Sequence, residues 1–126
     1  MLKKFLALMY RRFIVAGSTS FKGLTDAFLK EEAFRVQVIL SLFLIPLACY
    51  IANSYQQLLM LLTALFLVMI VELLNTCIEL VVDRIGPEFN ELSGRAKDIG
   101  SAAVALSMLI FVLVWGLISA ANLGYI

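Results

Sequence analysis

The chain has 126 residues, of which 63% are hydrophobic and 15% are charged. Because a soluble domain is only about half apolar, this composition indicates a single membrane domain over residues 1–126 and excludes a soluble nucleotide-hydrolysing fold. The net charge of +1 argues against nucleic acid as a partner, and the absence of histidine leaves carboxylates as the groups for any acid–base or metal chemistry.

Residues 1–30 have the pattern of an amphipathic helix that lies in the membrane interface. Apolar and basic residues fall on opposite sides of a helical projection: the apolar ones are Leu2, Phe5, Leu6, Met9 and Phe13, and the basic ones are Lys3, Lys4, Arg11 and Arg12. Gly17–Ser20 predicts a loop or kink. A second amphipathic stretch is expected to follow, capped by Ser20 or Thr25. The simplest role of the whole segment is a surface anchor.

Three apolar stretches predict transmembrane helices, over residues 36–53, 58–83 and 101–121. Pro46 is expected to kink the first of these helices. Residues 84–100, between the second and the third, are expected to form a polar loop. Cys49 and Cys77 both lie inside apolar runs, so we interpret them as small apolar side chains rather than as a disulfide or a metal site.

The distribution of basic residues predicts the topology. All ten Lys and Arg residues lie at positions 3–35 or 84–97, whereas the turn at 53–57 and the tail at 122–126 contain none. By the positive-inside rule, the N-terminus and the 84–100 loop are expected in the cytoplasm, and the C-terminus outside.

Glu72, Asn75, Glu79 and Asp83 follow one another at spacings of three, four and four on the second span. At about 100° per residue, the three carboxylates lie within roughly 20° of one line on a helix, with Asn75 to one side. Counting about 20 residues from Leu58 puts Glu79 and Asp83 at the cytoplasmic surface and Glu72 roughly 8 Å inside it. Glu72 is therefore either protonated within a helix bundle or a group that handles protons or ions, and we favour the second interpretation.

Charged groups also flank the other two spans at this surface. Glu31 and Glu32 precede the first span, and Lys97 and Asp98 precede the third. The candidate ligands for a divalent cation are Glu31, Glu79 and Asp83, and those for phosphate are Arg12, Arg95 and Lys97. Acids and bases at one surface suit phosphoryl transfer, in which cations neutralise the charge of the moving group.

Three motifs then carry a family resemblance: Glu31-Glu-Ala-Phe-Arg35, Val71-Glu-Leu-Leu-Asn-Thr-Cys-Ile-Glu-Leu-Val-Val-Asp-Arg-Ile-Gly86 and Glu91-Leu-Ser-Gly-Arg-Ala-Lys-Asp-Ile-Gly-Ser-Ala-Ala103. They resemble the small bacterial diacylglycerol kinase family over about residues 12 to 116. The resemblance implies an all-α protein of the bacterial inner membrane, with three transmembrane helices and an amphipathic surface helix in each subunit of a homotrimeric bundle. It also implies transfer of the γ-phosphate of ATP to the hydroxyl of diacylglycerol, with Mg²⁺.

The resemblance further implies roles for the residues that match the family's motifs. Glu72 is the expected catalytic base at the lipid hydroxyl, and Asn75 is expected to orient Glu72 or the γ-phosphate. Glu31 and Glu79 are the expected metal ligands. Further nucleotide contacts are expected from Arg12, Thr19, Glu88, Phe89, Asn90, Lys97 and Asp98. Further lipid contacts are expected from Arg12, Ser20, Phe21 and Ser101.

Four residues depart from what is common in the family. Gln37 stands in place of an acid, Thr19 and Phe21 in place of Tyr and Trp, and Asn90 in place of His. We interpret all four as residues on the rim of the substrate sites.

Three alternative functions remain at this point. An undecaprenol kinase of the same family is the first, although the loop over residues 91–98 is more similar to the diacylglycerol-using branch. A small ion-coupled transporter or channel subunit with Glu72 as its ion site is the second, although Leu58–Val71 is almost wholly apolar and gives a pathway no polar lining. A non-enzymatic assembly factor is the third.

Overall fold

The structure is a computed structural model that describes residues 1–126 as four helices. The helices are α1 (Leu2–Lys30), α2 (Glu32–Ile51), α3 (Tyr55–Ile85) and α4 (Glu91–Asn122). The last three are long and apolar enough to cross a membrane. The predicted architecture, an all-α membrane protein with three spans and an N-terminal helix, is therefore confirmed.

Helix α1 is continuous, so the break predicted at Gly17–Ser20 is wrong. A single glycine costs a helix only about 1 kcal/mol, and the neighbouring hydroxyl groups do not interrupt the backbone. Thr19 and Thr25 each bond back to the carbonyl oxygen four residues earlier, at 2.8 Å. Thr25 and Ser20 are thus mid-helix residues and cap nothing.

Arg35 fixes the junction between α1 and α2. Glu31 is extended and separates the two helices, and the Arg35 guanidinium donates to the carbonyl oxygens of Phe28 at 3.0 Å and Leu29 at 3.1 Å. A cation at the C-terminal end of a helix satisfies its free carbonyls and complements its dipole. At the same end, the ion pair with Asp26, at 2.6 Å, raises the pKa of Lys30.

The membrane-crossing helices extend beyond the apolar stretches that predict them. Helix α2 begins at Glu32 and passes through Pro46 without a break in the helix. Helix α3 begins after Ser54, whose side-chain oxygen accepts from the Gln57 amide at 3.3 Å, and it ends at Gly86 with a φ of 138°. This φ lies in the region that favours glycine, so Gly86 provides a sharp stop.

The polar loop predicted over residues 84–100 is mostly helix. Only residues 86–90 are non-helical, and α4 starts at Glu91 rather than at Ser101. The Asn90 side-chain oxygen caps this helix by accepting from the backbone amides of Leu92 at 2.9 Å and Ser93 at 3.2 Å. An asparagine N-cap followed by an acid in the first turn stabilises a helix start, which explains the early boundary.

The two ends of the bundle differ in character. We call the end with residues 51–57 and 122–126 the turn end, and the end with residues 86–90 the loop end. A small apolar core lies nearer the turn end and consists of Ala48, Leu61, Ala64, Trp115 and Ile118. Within it, the indole Nε1 of Trp115 donates to the Leu61 carbonyl oxygen at 3.1 Å and so joins α4 to α3.

A cluster of amides closes the turn end. The Asn122 side-chain nitrogen donates to the Ile51 carbonyl oxygen and to Gln57 Oε1, both at 2.8 Å. Gln57 Oε1 also accepts from the Asn53 backbone amide at 2.8 Å, and Gln57 Nε2 donates to Asn122 Oδ1 at 3.3 Å. These bonds connect the ends of α2, α3 and α4. They stabilise the bundle at the end opposite the acidic residues of α3.

Candidate active site

The acidic stripe of α3 passes from the interior of the bundle to the surface at the loop end. Glu72 is 9% exposed and Asn75 is 8% exposed, Glu79 is half-buried, and Asp83 is exposed. A buried carboxylate on a membrane-crossing helix is costly unless it is hydrogen-bonded or functional. Burial within the chain therefore decreases along the stripe toward the loop end.

Gln37 of α2 contacts the deepest carboxylate. Its amide Nε2 donates to Glu72 Oε2 at 3.2 Å. The sequence places Gln37 on the rim of the substrate sites, so this contact at the centre corrects that interpretation. The signal in the sequence is that Gln37 is a long polar side chain near the start of an otherwise apolar span. Finding its partner requires the rotation of α2 about its axis, which the sequence does not provide.

Asn75 bridges the middle of the stripe to α4. Its Nδ2 donates to Glu79 Oε1 at 3.1 Å, one turn along the same helix. Its other amide atom, Oδ1, is buried without a hydrogen-bond partner and lies directly against Gly100 of α4. A Cβ atom on residue 100 would overlap Asn75 Oδ1, so only glycine allows this approach of the two helices. Gly100 was not among the residues selected from the sequence.

Asp83 and Lys97 join α3 to α4 at the surface. The Lys97 Nζ lies 2.6 Å from Asp83 Oδ1, and both side chains are well exposed. In this arrangement Lys97, an expected nucleotide contact, is paired with an acid that is an alternative metal ligand. The pair is weak because water surrounds both groups, so either member is free to exchange partners.

Glu31 lies beside a different part of α3. It lines a cavity of about 480 Å³ between α1 and α3, together with Ser20, Thr76 and Cys77. Glu79, the other expected metal ligand, instead contacts Asn75. Glu31 and Glu79 therefore share neither a cavity nor a hydrogen bond within one chain. One chain also brings together no cluster of three acids or cysteines that is suited to a metal ion.

Arg12, Thr19 and Ser20 share one face of α1. They line an open groove of about 770 Å³ along that helix. Ser20 also lines the cavity that contains Glu31, so the groove and the cavity are adjacent. Phe21 is 73% exposed and makes no part of either. Helix α1 thus places three of its four candidate substrate-binding residues along a groove that adjoins the cavity of Glu31.

The selected residues of the 86–90 loop and of α4 point largely to solvent. Glu88 is exposed, and Phe89 is 96% exposed. Asn90 caps α4 with its side-chain oxygen, which gives it a structural role that the sequence interpretation missed. Asp98 and Ser101 are exposed on the first turns of α4. None of these residues forms a hydrogen bond or an ion pair with the acidic stripe within one chain, so their substrate contacts stay predictions.

An apolar cavity of about 260 Å³ lies among the three spans on the interior side of Gln37. Gln37 is its one polar lining residue, and its apolar lining includes Leu40 of α2, Leu65 of α3 and Met108 of α4. Gln37 therefore separates an apolar volume, open to all three helices, from the carboxylate of Glu72.

The site combines two kinds of surface. Toward the interior, a buried carboxylate has one oxygen bonded to an amide and the other free to accept a proton. Toward the loop end, the carboxylates of Glu79 and Asp83 and the ammonium group of Lys97 are partly or fully open to water. The exposed atoms that could ligate a metal ion are carboxylate oxygens, which suit a hard cation such as Mg²⁺. This ion usually binds through one or two carboxylates and substrate phosphates. The arrangement suits a reaction between an apolar and a charged substrate.

Comparisons with known proteins identify the family to which the chain belongs. The family model described as prokaryotic diacylglycerol kinase matches residues 18–119. The diacylglycerol kinase of Escherichia coli (strain K12) is 43% identical over 115 residues, which cover 91% of this chain and 94% of that protein. That of Haemophilus influenzae is 46% identical over 97 residues, or 77% and 82% of the two chains. That of Helicobacter pylori (strain 26695) is 41% identical over 107 residues, or 85% and 84%. This chain therefore belongs to the prokaryotic diacylglycerol kinase family.

Proposed function

We propose that the protein is an ATP-dependent lipid kinase that phosphorylates diacylglycerol to phosphatidic acid. The observation that carries this function is the burial of Glu72 on the same helix face as the half-buried Glu79. Two helical turns, roughly 10 Å, separate the two residues. A hydroxyl at the edge of the lipid phase can reach the first carboxylate while a water-soluble nucleotide is held near the second.

The proposed reaction is a direct in-line transfer without a phosphorylated enzyme. The lipid hydroxyl oxygen forms a bond to the γ-phosphorus of ATP, and the bond from that phosphorus to the β–γ bridging oxygen breaks, releasing ADP. Glu72 accepts the hydroxyl proton through its free oxygen. Asn75, which holds Glu79 and packs on Gly100, positions the stripe relative to α4.

The charged residues at the loop end are assigned to the nucleotide. Glu79 and Glu31 would hold Mg²⁺, and a magnesium ion, when bound, neutralises negative charge on the phosphates. Lys97 can exchange its exposed pair with Asp83 for a phosphate oxygen. Arg12 approaches from the groove on α1, and Asp98 and the 88–90 segment complete the rim. Thr19 and Ser20 line the same groove as Arg12.

The proposed membrane orientation follows the basic residues. With the positions 3–35 and 84–97 holding all ten Lys and Arg residues, the loop end faces the cytoplasm, where ATP is available, and the C-terminus lies on the other side of the inner membrane. The homotrimer stays an expectation from the family resemblance. It is supported by the separate positions of Glu31 and Glu79 in one chain, since a second copy would supply the missing partner for each.

The decisive experiment is a lipid phosphorylation assay. Purified protein in mixed micelles receives γ-labelled ATP, Mg²⁺ and either diacylglycerol or undecaprenol, and the lipid-bound phosphate is measured. We expect label in phosphatidic acid, and none from micelles that lack Mg²⁺. Preferential labelling of undecaprenol would replace diacylglycerol with a polyprenol as the substrate. No labelled lipid from folded protein would contradict a kinase function.

A further inference from the structure

Gln37 is the one side chain hydrogen-bonded to Glu72, through Nε2 and Oε2 at 3.2 Å. We propose that Gln37 is a positioning residue for the phosphoryl transfer: it holds Oε2 of the Glu72 carboxylate so that Oε1 faces the lipid hydroxyl. This inference rests on the proposed kinase function and adds to it the residue that orients the base.

Charge decides the orientation of the Gln37 amide. A carboxylate oxygen only accepts hydrogen bonds, so the amide has to present its nitrogen rather than its oxygen to Glu72. As a result, Gln37 Oε1 is buried without a partner, and the other residues that line the cavity beside Gln37 are all apolar. A buried acceptor without a donor is rare in proteins. Here it is the direct consequence of directing the donor toward the carboxylate.

The helices restrain both ends of this hydrogen bond. Gln37 lies two residues after Arg35, which is fixed by its bonds to the carbonyl oxygens of Phe28 and Leu29. Glu72 lies one turn before Asn75, which packs against Gly100 with no space for another atom. Neither side chain is on a loop. Groups held on helices in this way keep the geometry that a reaction requires better than groups on loops do.

The position of Gln37 also explains why the base needs support. Gln37 lines the apolar cavity and its amide bonds to Glu72, so this one residue contacts both an apolar volume and the carboxylate. A carboxylate held by neither oxygen rotates freely, and a misdirected base lowers the rate even when it is present. Gln37 forms no hydrogen bond with Glu79 or Lys97, so its loss should change the chemical step rather than nucleotide binding.

The test uses Gln37→Met in the full-length protein, which keeps the length of the side chain and removes the donor. We expect kcat on diacylglycerol to fall about tenfold, with the KM for ATP within about twofold of the wild-type value. The same substitution is made in a Glu72→Gln background. If Gln37 acts through Glu72, Gln37→Met should lower the residual kcat of the Glu72→Gln protein by less than about twofold, because the effects of coupled residues are not additive.

Gln57→Met is the matched control. Gln57 is also a glutamine with an amide bond between helices, but it lies at the turn end, bonded to Asn122. The substitution Gln57→Met is expected to lower thermal stability and to leave unchanged the kcat calculated per molecule of folded protein. This control separates the loss of any interhelical amide from the loss of the one at Glu72.

Three outcomes overturn the inference. If Gln37→Met keeps kcat within about threefold of an active wild type, Gln37 does not position the base and the kinase function stands. If it lowers kcat equally with and without Glu72, its role is structural. If the folded wild type phosphorylates no lipid, the kinase function fails, and the positioning role fails with it.

A second measurement covers the case in which Gln37→Met does not fold. Hydrogen exchange of the Gln37 side-chain amide is followed by NMR in the wild type and in Glu72→Gln. A neutral amide at residue 72 gives Gln37 a weaker acceptor, so exchange should be at least about threefold slower in the wild type. Equal exchange rates in the two proteins would show that Glu72 does not hold the amide, and would overturn the inference.

Discussion

Asn75 of α3 lies so close to Gly100 of α4 that a hydrogen atom is the largest side chain residue 100 can carry. This contact joins the two helices at the middle of the acidic stripe, between Glu72 and Glu79. It makes Gly100 part of the geometry of the site although it has no functional group of its own.

Gly100→Ala is expected to disturb both stability and activity. The added Cβ has to displace Asn75 Oδ1 or separate the helices, and overpacking of this kind typically costs about 1–3 kcal/mol. We expect a lower thermal unfolding midpoint and, because Asn75 moves relative to Glu79, a fall in kcat. Circular dichroism and the lipid phosphorylation assay measure the two effects.

Gly116→Ala is the control for that substitution, on the same helix but with open space around its Cβ position. It replaces a helical glycine without a clash and should leave stability equal or higher by up to about 1 kcal/mol. Equal behaviour of the two variants would contradict the importance of the Asn75–Gly100 contact.

Glu72→Gln is expected to lower kcat by about 10²- to 10⁴-fold, the usual contribution of a general base. Binding of ATP should survive, because Glu72 is buried away from the loop end. Single-turnover kinetics and equilibrium binding of a nonhydrolysable ATP analogue give the two quantities. Turnover near that of the wild type would remove Glu72 from the role of base.

Glu79→Gln is expected to act on nucleotide affinity instead. The substitution keeps the shape of the side chain and its ability to accept from Asn75 Nδ2, but it removes the charge that attracts a metal ion. We expect the KM for Mg·ATP to rise about tenfold or more, and higher Mg²⁺ to restore part of the loss. A variant with unchanged Mg²⁺ dependence would exclude Glu79 as a ligand.

Lys97→Met and Asp83→Asn separate the two possible roles of the surface ion pair. If Lys97 binds phosphate, its loss should raise the KM for ATP, whereas the loss of Asp83 frees Lys97 and should leave that KM equal or lower. Exposed pairs contribute little to folding, so neither change should alter the thermal midpoint much. The same rise in KM from both variants would show that the pair itself, rather than Lys97, matters.

Helical periodicity accounts for how much of this site the sequence predicts. Glu72, Asn75 and Glu79 are on one helix, so their spacing alone defines their common face and their order of depth. Partners on other helices depend on how those helices rotate and approach one another. That is why the contacts of Glu72 with Gln37 and of Asn75 with Gly100 were not predicted.

The errors in the helix boundaries have local causes. The N-cap Asn90 and the acid Glu91 begin α4. The stretch from residue 84 to residue 100 is polar and has the composition of a loop, and its one helix-start signal is the capping residue. Conversely, Gly17 and the hydroxyl residues after it have the composition of a break, yet a long helix tolerates their modest cost. The three apolar runs nevertheless each lie within a helix that is long and apolar enough to cross a membrane, because hydrophobic length is the stronger signal.

The amide cluster of Ile51, Gln57 and Asn122 determines where the three spans are tied together by polar bonds. It connects all three spans at the turn end, whereas nearer the loop end α3 and α4 are joined by the packing of Asn75 against Gly100 and by the exposed pair of Lys97 and Asp83. Polar bonds among all three spans are therefore concentrated at the turn end. From residue 57 to residue 79, α3 is roughly 33 Å long, so a tilt of about 5° about the turn end would move Glu79 by about 3 Å while the core around Trp115 stays packed.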